Sequence, residues 1–310
     1  MTGLKHIAIC IMIAFMAVAC TSRPEATFTA ASYNLRQANH KDSINGNGWG
    51  RRLPVLAEQI RFHGFDIFGT QECFKHQLDG LLELLPEYAY TGVGRDDGKE
   101  AGEHAAIFYR TDVFSLLDHG DFWLSETPEQ PGLGWDAVCP RICSWGKFRH
   151  NASGQEFVFI NLHMDHVGKQ ARIESAKLVK ERITQIAPGK PAIITGDFNV
   201  DQTHQSYATM KGEGELLDSY EEAEIRYAQN GTFNGYRPDR FTTSRIDHVF
   251  ITPGIKVQKY GVLTDTYRTA DEETDEETLA NAPQELKAQK YTARTPSDHF
   301  PVMVVVTLPE

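Results

Sequence analysis

Apolar residues in this chain fall mostly in short runs, and many of those runs meet a polar residue at one end. Phe28 to Tyr33 alternates with period two, the mark of a half-buried strand, and delivers Asn34. Phe65 to Gln71 is a second run and delivers Glu72. Ala105 to Tyr109 and Phe122 to Leu124 predict further strands. Ile142 to Arg149 and Glu156 to Leu162 predict a pair joined at the turn-rich Asn151-Ala152-Ser153-Gly154, with His163 at its far end. Pro191 to Ile194 is too short for a helix and leads into Thr195-Gly196-Asp197-Phe198-Asn199-Val200. Arg245 to Ile251 carries Asp247, and Asp298 and His299 precede the closing run Phe300 to Leu308. Helical spacing appears in Arg51 to His63, where Pro54 falls in the tolerant first turn, and in Lys75 to Leu85, stopped by Pro86. It is strongest in Lys169 to Ala187, where Ile173, Ala176, Val179, Ile183 and Ile186 line one face. Arg36 to Gly50, Gly92 to Gly102 and Ser125 to Pro140 are expected to be loops. No repeat or linker divides the chain, so a single domain over residues 28–310 is expected.

The polar residues at the strand ends carry the candidate chemistry. In the stretch around Asp197, Gly196 lets the backbone turn sharply. Asp197 and Asn199, two apart in an extended segment, then point the same way while Phe198 faces the core. Those residues alone also fit a turn whose Asx side chains cap backbone amides. The wider pattern argues for more: Asn34, Glu72, His163, Asp197, Asn199, Asp247, Asp298 and His299 all sit at strand ends or just before a strand. A close-packed sheet gathers its strand ends onto one edge. The acids would repel one another there unless a positive charge sits among them, and oxygen ligands suit a hard divalent cation such as Mg²⁺, with Mn²⁺ as the alternative.

Composition narrows the partners. The 310 residues are 41% hydrophobic and 24% charged, as in a soluble globular protein, with a formal net charge of −11. That charge repels a nucleic-acid backbone at long range, although a local arginine cluster or a bound cation reverses the field inside one cleft. The substrate-side loops hold no dense Lys/Arg cluster, so nucleic acid is not favoured. At the N-terminus, Lys5 and His6 precede the apolar run Ile7 to Val18, and Ala17-Val18-Ala19-Cys20 resembles a bacterial lipoprotein box. Residues 1–19 are expected to be a signal peptide and 20–27 a tether lipidated at Cys20. That places a monomer on the bacterial cell envelope, or otherwise outside the cell as a secreted protein. Cys73, Cys139 and Cys143 are irregularly spaced and odd in number, so they are expected as buried apolar residues with neither a disulfide framework nor a zinc set. The acidic run Asp271 to Glu277 is expected to be solvated.

Taken in order, Ser32-Tyr33-Asn34-Leu35, Gly69-Thr70-Gln71-Glu72, Asn161-Leu162-His163, Gly196-Asp197-Phe198-Asn199, Arg245-Ile246-Asp247-His248 and Ser297-Asp298-His299-Phe300-Pro301-Val302 resemble the motifs of the endonuclease/exonuclease/phosphatase superfamily, with its deoxyribonuclease I-like fold. The resemblance implies a four-layer α/β/β/α sandwich of two mixed β-sheets flanked by helices, and metal-dependent hydrolysis of a phosphate mono- or diester. It implies Glu72 as the principal metal carboxylate, helped by Asn34 and Asp298. It implies Asp197 as the group that activates water, with Asn199 fixing its geometry and touching phosphate. It implies His299 paired with Asp247, and His163 paired with Glu103, as imidazolium donors, and Arg141 as a phosphate contact. His40, His104, His166, His204 and His248 are expected to be structural or solvent-facing, while Asp165 and Trp135 are candidates for the pocket wall. The substrate expected first is a small molecule, sugar phosphate or lipid headgroup. An exported Mg²⁺-dependent endo- or exonuclease is the alternative within enzymes, and a catalytically silent binding lipoprotein the alternative outside them.

Overall fold

A strand forms at Phe28 because one face of the alternating run fills the space between two sheets while the other meets helices. A computed structural model describes residues 24–270, 281–286, 288 and 290–310. The expected signal peptide, Cys20 and the acidic run from Asp271 lie outside the described residues. In chain order the elements are β1 (Thr27–Asn34), α1 (His40–Ile44), α2 (Trp49–Phe62), β2 (Ile67–Gln71), α3 (Lys75–Leu84), β3 (Tyr88–Thr91), β4 (Ile107–Arg110) and β5 (Phe114–Trp123). They continue with β6 (Ile142–His150), β7 (Glu156–His163), α4 (Lys169–Ile186), β8 (Ala192–Asp197), α5 (Gln205–Lys211), β9 (Leu217–Asp218) and α6 (Ser219–Glu222). The chain closes with β10 (Ile225–Tyr227), β11 (Asp247–Ile251), β12 (Lys256–Val262), β13 (Tyr267–Ala270), β14 (Tyr291–Arg294) and β15 (Val302–Thr307).

One sheet has the order β10-β12-β15-β1-β2-β4-β3 and the other β5-β6-β7-β8-β11-β9, with β13 and β14 forming a separate hairpin. Both sheets are mixed: β1 runs parallel to β2 and antiparallel to β15, while β7 runs parallel to β8, which is antiparallel to β11. Phe28, Ala30, Ile67, Phe157, Phe159, Ile193 and Val249 pack between the sheets. Tyr33, Phe68, Leu56 and Leu78 pack α2 and α3 onto the first sheet, and Ile160, Ile194, Val179 and Met210 pack α4 and α5 onto the second. The four-layer sandwich is therefore present. β5 is longer than the predicted Phe122 to Leu124 because its register shifts between Leu116 and Asp118, which breaks the alternation a strand pattern needs. The stretch after Arg36 is not wholly loop: Asn39 accepts a hydrogen bond from the Asp42 N–H at 2.8 Å and starts α1, and α2 begins at Trp49.

The faces turned toward each other change character along their length. On β1 the inward positions run Phe28, Ala30, Ser32, Asn34; on β7 they run Phe157, Phe159, Asn161, His163; on β8 they run Ile193, Thr195, Asp197. Apolar packing at one end thus gives way to polar groups at the other. Between the two zones lies a dry hydrogen-bond bridge. Asn161, fully buried on the second sheet, donates to the carbonyls of Thr70 and Ala106 on the first at 2.8 and 3.0 Å. Its Oδ1 accepts from Gln71 Nε2 at 2.7 Å and from Thr195 Oγ1 at 3.1 Å. Gly69 makes room for it, since a Cβ there would lie 2.2 Å from Asn161 Oδ1. Removing Asn161 strands buried partners on both sheets, so Asn161→Ala and Gly69→Ala should each lower the unfolding free energy by about 2–4 kcal/mol. Urea denaturation measures this, and an unchanged midpoint in both variants would contradict the bridge.

Candidate active site

The polar ends of the inward faces open into a cleft of about 950 Å³. Glu72, Asp197, Asn199, His163, Asp298 and His299 line it. Asn34 and Asp247 stand behind them, both fully buried. Two of these side chains reach the cleft through strained backbone: Glu72 has φ +68° and Asn199 φ +50°. A left-handed conformation in a residue other than glycine costs on the order of 1–3 kcal/mol and collects at functional sites. Asn199 is therefore not the continuation of an extended segment. β8 ends at Asp197, and the next turn brings the Asn199 N–H onto Asp197 Oδ1 at 2.9 Å. The Asx cap and the side-by-side placement of carboxylate and amide coexist.

Asp197 is the hub. Its Oδ2 accepts from Asn34 Nδ2 at 3.0 Å and lies 3.6 Å from His163 Nε2 and 3.8 Å from His299 Nε2. Burial, with Asp247 close by, raises its carboxyl above the usual range. Burial likewise raises Asp298. Asn34 differs from its expected place as a metal ligand. It turns its NH₂ to Asp197 and to Glu72 Oε1, each at 3.0 Å, and its oxygen to the Arg36 N–H. In that orientation it holds two carboxylates together and does not offer a ligand oxygen.

The two histidines are in opposite states. His299 donates from Nδ1 to Asp247 Oδ2 at 2.9 Å. Burial works most strongly against its charged form, but Asp247, Asp197 and Asp298 together outweigh it and hold the imidazole well above its usual range. For His163 the surroundings disfavour the imidazolium that the resemblance implies. Burial first, then Arg141 and Arg95, push it well below its usual range, and Asn199 Nδ2 contacts its Nε2 at 3.1 Å as a donor. The expected Glu103 partner lies 3.9 Å from His163 Nδ1 and is held instead by Arg95 at 2.6 Å. Burial pushes Glu103 up to about 7 despite Arg95.

Arg141 lines the cleft and is nearly buried. Asp165 does not line it but stands behind Arg141, 3.4 Å from its Nε, and Trp135 is not part of the wall. Asp165 also accepts the N–H groups of Val138, Val167 and Gly168 at 3.2, 2.9 and 2.7 Å. Burial opposes its charge, but those hydrogen bonds and Arg141 hold it down at about 2. His166 is not partnerless: its Nδ1 accepts from Arg141 Nη2 at 2.9 Å, and it lines the cleft. His104 and His248 are buried on the carbonyls of Cys73 and Val200, and His204 caps α5, all structural as expected. Cys139 is only half-buried and lines the cleft, unlike Cys73 and Cys143. Sequence reasoning missed Arg36 and Arg95. Each shares its loop with only one lysine, Lys41 or Lys99, and only folding brings the two arginines to one wall. That also corrects the charge reading of the loops, because the cationic surface is assembled from separate segments.

The residues fit a hard divalent cation. Ligand atoms of Glu72, Asp197 and His299 lie within 4.8 Å of one another, and Glu72 and Asp298 both lie 3.6 Å from the Arg36 guanidinium. These convergent oxygens are of the type such an ion takes. Glu72 and Asp298, which face each other across Arg36, are the carboxylates that the resemblance gives to the ion, and Asp197 is the one it gives to the water. Cys139, Asp165 and His166 also gather within 4.8 Å, but Arg141 already occupies Asp165 and His166.

Two mixed sheets packed face to face, with acids, amides, histidines and arginines at their common edge, define a hydrolase of phosphoric ester bonds. The chain belongs to the endonuclease/exonuclease/phosphatase family, whose family model matches residues 31–299. A solved member of that family from Bacteroides thetaiotaomicron is 57% identical, covering 93% of this chain and all of its own, with a TM-score of 0.86. A mannosyl-6-phosphatase of the same organism is 58% identical over 90% of this chain and 99% of its own, with a TM-score of 0.84. A curated relative from Acanthamoeba polyphaga mimivirus, itself uncharacterised, is 23% identical over 265 residues, and this chain spans 38% of its length.

The hydrogen bonds of Asp165 make it the support on which Arg141 rests. Replacing it by Asn puts an NH₂ among donors, so Asp165→Asn should raise KM for a phosphate ester about tenfold and cost about 1–3 kcal/mol of stability. Steady-state kinetics and thermal denaturation check this together, and an unchanged KM would contradict the positioning role.

Proposed function

We propose that the protein is a divalent-cation-dependent phosphomonoesterase acting on a sugar 6-phosphate, with water as the attacking nucleophile. The observation that carries the reading is the meeting, in one cleft, of the raised carboxyl of Asp197 with the guanidiniums of Arg36, Arg95 and Arg141. Arg95 Nε and Arg141 Nη1 are buried without a hydrogen-bond partner. A phosphate monoester carries about −1.5 to −2 charge at neutral pH, where a diester carries one, so a cleft with this many fixed cations favours the monoester. The size of the cleft supports a small ligand, since small-molecule sites span about 300–1,000 Å³. Its far wall is tied shut by Arg294, whose Nη1 donates to Asn45 O at 3.3 Å and Asn47 Oδ1 at 3.0 Å, joining the β13–β14 hairpin to the end of α1. Phe233, 48% exposed, sets its ring edge-on 5.1 Å from His299 and offers an apolar surface for a sugar face. The similarity to a mannosyl-6-phosphatase along nearly the whole of both chains supports the same class.

In the reaction, Asp197 takes a proton from water as the water oxygen bonds to phosphorus and the bond from phosphorus to the sugar oxygen breaks. Asn34 and Asn199 hold the Asp197 carboxylate in line. His299, kept protonated by Asp247, donates to a phosphoryl oxygen or to the leaving sugar oxygen. Neutral His163 presents no competing charge and fixes Asn199. Mg²⁺ or Mn²⁺ held by Glu72 and Asp298 would neutralise charge developing on the phosphoryl oxygens.

A substrate panel tests the proposal. With Mg²⁺ the protein should release phosphate from mannose 6-phosphate with kcat/KM at least ~100-fold above that for bis(p-nitrophenyl) phosphate. EDTA should abolish turnover, and supercoiled plasmid should stay intact. Preference for the diester, or plasmid nicking, would overturn the reading in favour of a nuclease.

A further inference from the structure

Hydrolysis alone does not account for the setting of Arg36. Its backbone sits at φ +59°, a strained conformation for a residue with a side chain. Its N–H donates to Asn34 Oδ1 at 3.0 Å, and its carbonyl accepts from Arg52 Nη2 and Gln77 Nε2 at 3.1 Å each. Arg52 and Gln77 are fully buried, so this backbone is enforced from inside the fold. Arg52 reinforces the grip by donating from Nη1 to Leu35 O at 2.7 Å and Pro296 O at 3.0 Å, which joins the chain after Asn34 to the chain before Asp298. The result is a guanidinium held forward into the cleft.

There Arg36 meets three carboxylates of two kinds. Its Nε donates to Asp42 Oδ2 at 3.0 Å, a full hydrogen bond. Nε lies 3.6 Å from Asp298 Oδ2 and Nη1 lies 3.6 Å from Glu72 Oε2, which are charge contacts too long for hydrogen bonds. Asp42 belongs to α1 and is independently held by Asn39 Nδ2 at 2.6 Å. Glu72 and Asp298 are the carboxylates that fit the divalent cation. Arg36 therefore has one firm partner outside the cation site and two loose ones within it.

We propose that Arg36 is an exchangeable counter-ion. It neutralises Glu72 and Asp298 until a divalent cation takes those carboxylates, and then, still tethered by Asp42, turns its free N–H groups to the substrate phosphate. A guanidinium and a divalent cation drawn to the same carboxylate oxygens repel each other, so occupancy by one loosens the other. The tether keeps the displaced charge inside the cleft. Cation binding thereby prepares the phosphate site and sets the order cation first, ester second. The second step rests on the phosphomonoesterase reading, and the first does not.

The test is calorimetric titration of the cation-free protein with Mn²⁺ and no substrate. Arg36→Met removes the competitor and should tighten Mn²⁺ binding about tenfold, while Asp42→Asn frees Arg36 to settle on Glu72 and Asp298 and should weaken it about three- to tenfold. Opposite shifts in the two variants support the proposal. Shifts of the same sign, or no shift, overturn it, and so does an Asp42→Asn weakening that persists in the Arg36→Met background, which would be loss of a nearby negative charge acting without Arg36. If Arg36→Met fails to fold by circular dichroism, Arg36→Gln takes its place in both comparisons with the same outcomes. In a second arm, Arg36→Met should raise KM for mannose 6-phosphate at least about tenfold with a smaller change in kcat. A wild-type protein that does not hydrolyse mannose 6-phosphate would sink the substrate reading while leaving the Mn²⁺ comparison able to decide the counter-ion role.

Discussion

The placement of the site depends on one buried amide. Asn161 stands where apolar packing between the sheets ends, and its three hydrogen bonds to Gln71, Thr70 and Ala106 fix how the second sheet registers against the first, while a fourth, from Thr195, anchors it within its own sheet. Both donors and the acceptor of Asn161 are used, which specifies a single arrangement, although Gln71 Oε1 beside it is buried without a hydrogen-bond partner. Hydrophobic contact between two sheets tolerates sliding, whereas an amide bonded to two particular carbonyls does not. Two residues further along β7 lies His163, and two residues beyond Thr195 lies Asp197. The bridge therefore sets the distance between groups on β7 and β8 and those delivered by β1 and β2. A second tie, from Ser297 Oγ to the Asn34 carbonyl at 2.7 Å, brings Asp298 and His299 to the same edge.

Collecting acids at that edge creates the electrostatic problem that the chemistry exploits. Burial raises Asp197 and Asp298, because each neighbouring negative charge is costly away from water. The fold answers with cations of fixed charge, Arg36 among the metal-type carboxylates and Arg95 and Arg141 on the phosphate side, and with one imidazolium held by Asp247. Burial first, and then Arg141 and Arg95, push His163 well below its usual range. Two histidines a few ångströms from one carboxylate thus take different states because their other neighbours differ, which separates a proton donor from a positioning group.

Much of this was legible in the sequence. The motifs named the hub, Asp197, and the residues packed around it, because each stands at one end of an apolar run whose pattern marks a strand. The four-layer architecture followed from the resemblance those motifs carry. What escaped were features made only by tertiary contact. Arg36 and Arg95 sit in separate loops with no periodic signature and Arg294 ends a short strand far along the chain, so no local count of charge could group them. The link from Asp165 to Arg141 spans two strands and their turn, and the neutral state of His163 depends on two arginines distant in sequence. Asn199 was assigned the right neighbour through the wrong backbone, since an extended pair and a left-handed Asx turn both set Asp and Asn side by side. β5 was shortened because its register shift destroys the alternation by which a strand is recognised.

The central claim is that Glu72 and Asp298 share a divalent cation at the mouth between the sheets, beside the arginines that receive a phosphate. An anomalous-difference map from crystals grown with Mn²⁺ and inorganic phosphate tests it most directly. The account requires a Mn²⁺ peak in contact with both carboxylates, and phosphate density in contact with Arg141. A peak on Cys139, Asp165 and His166, or phosphate bound away from this cleft, would contradict it.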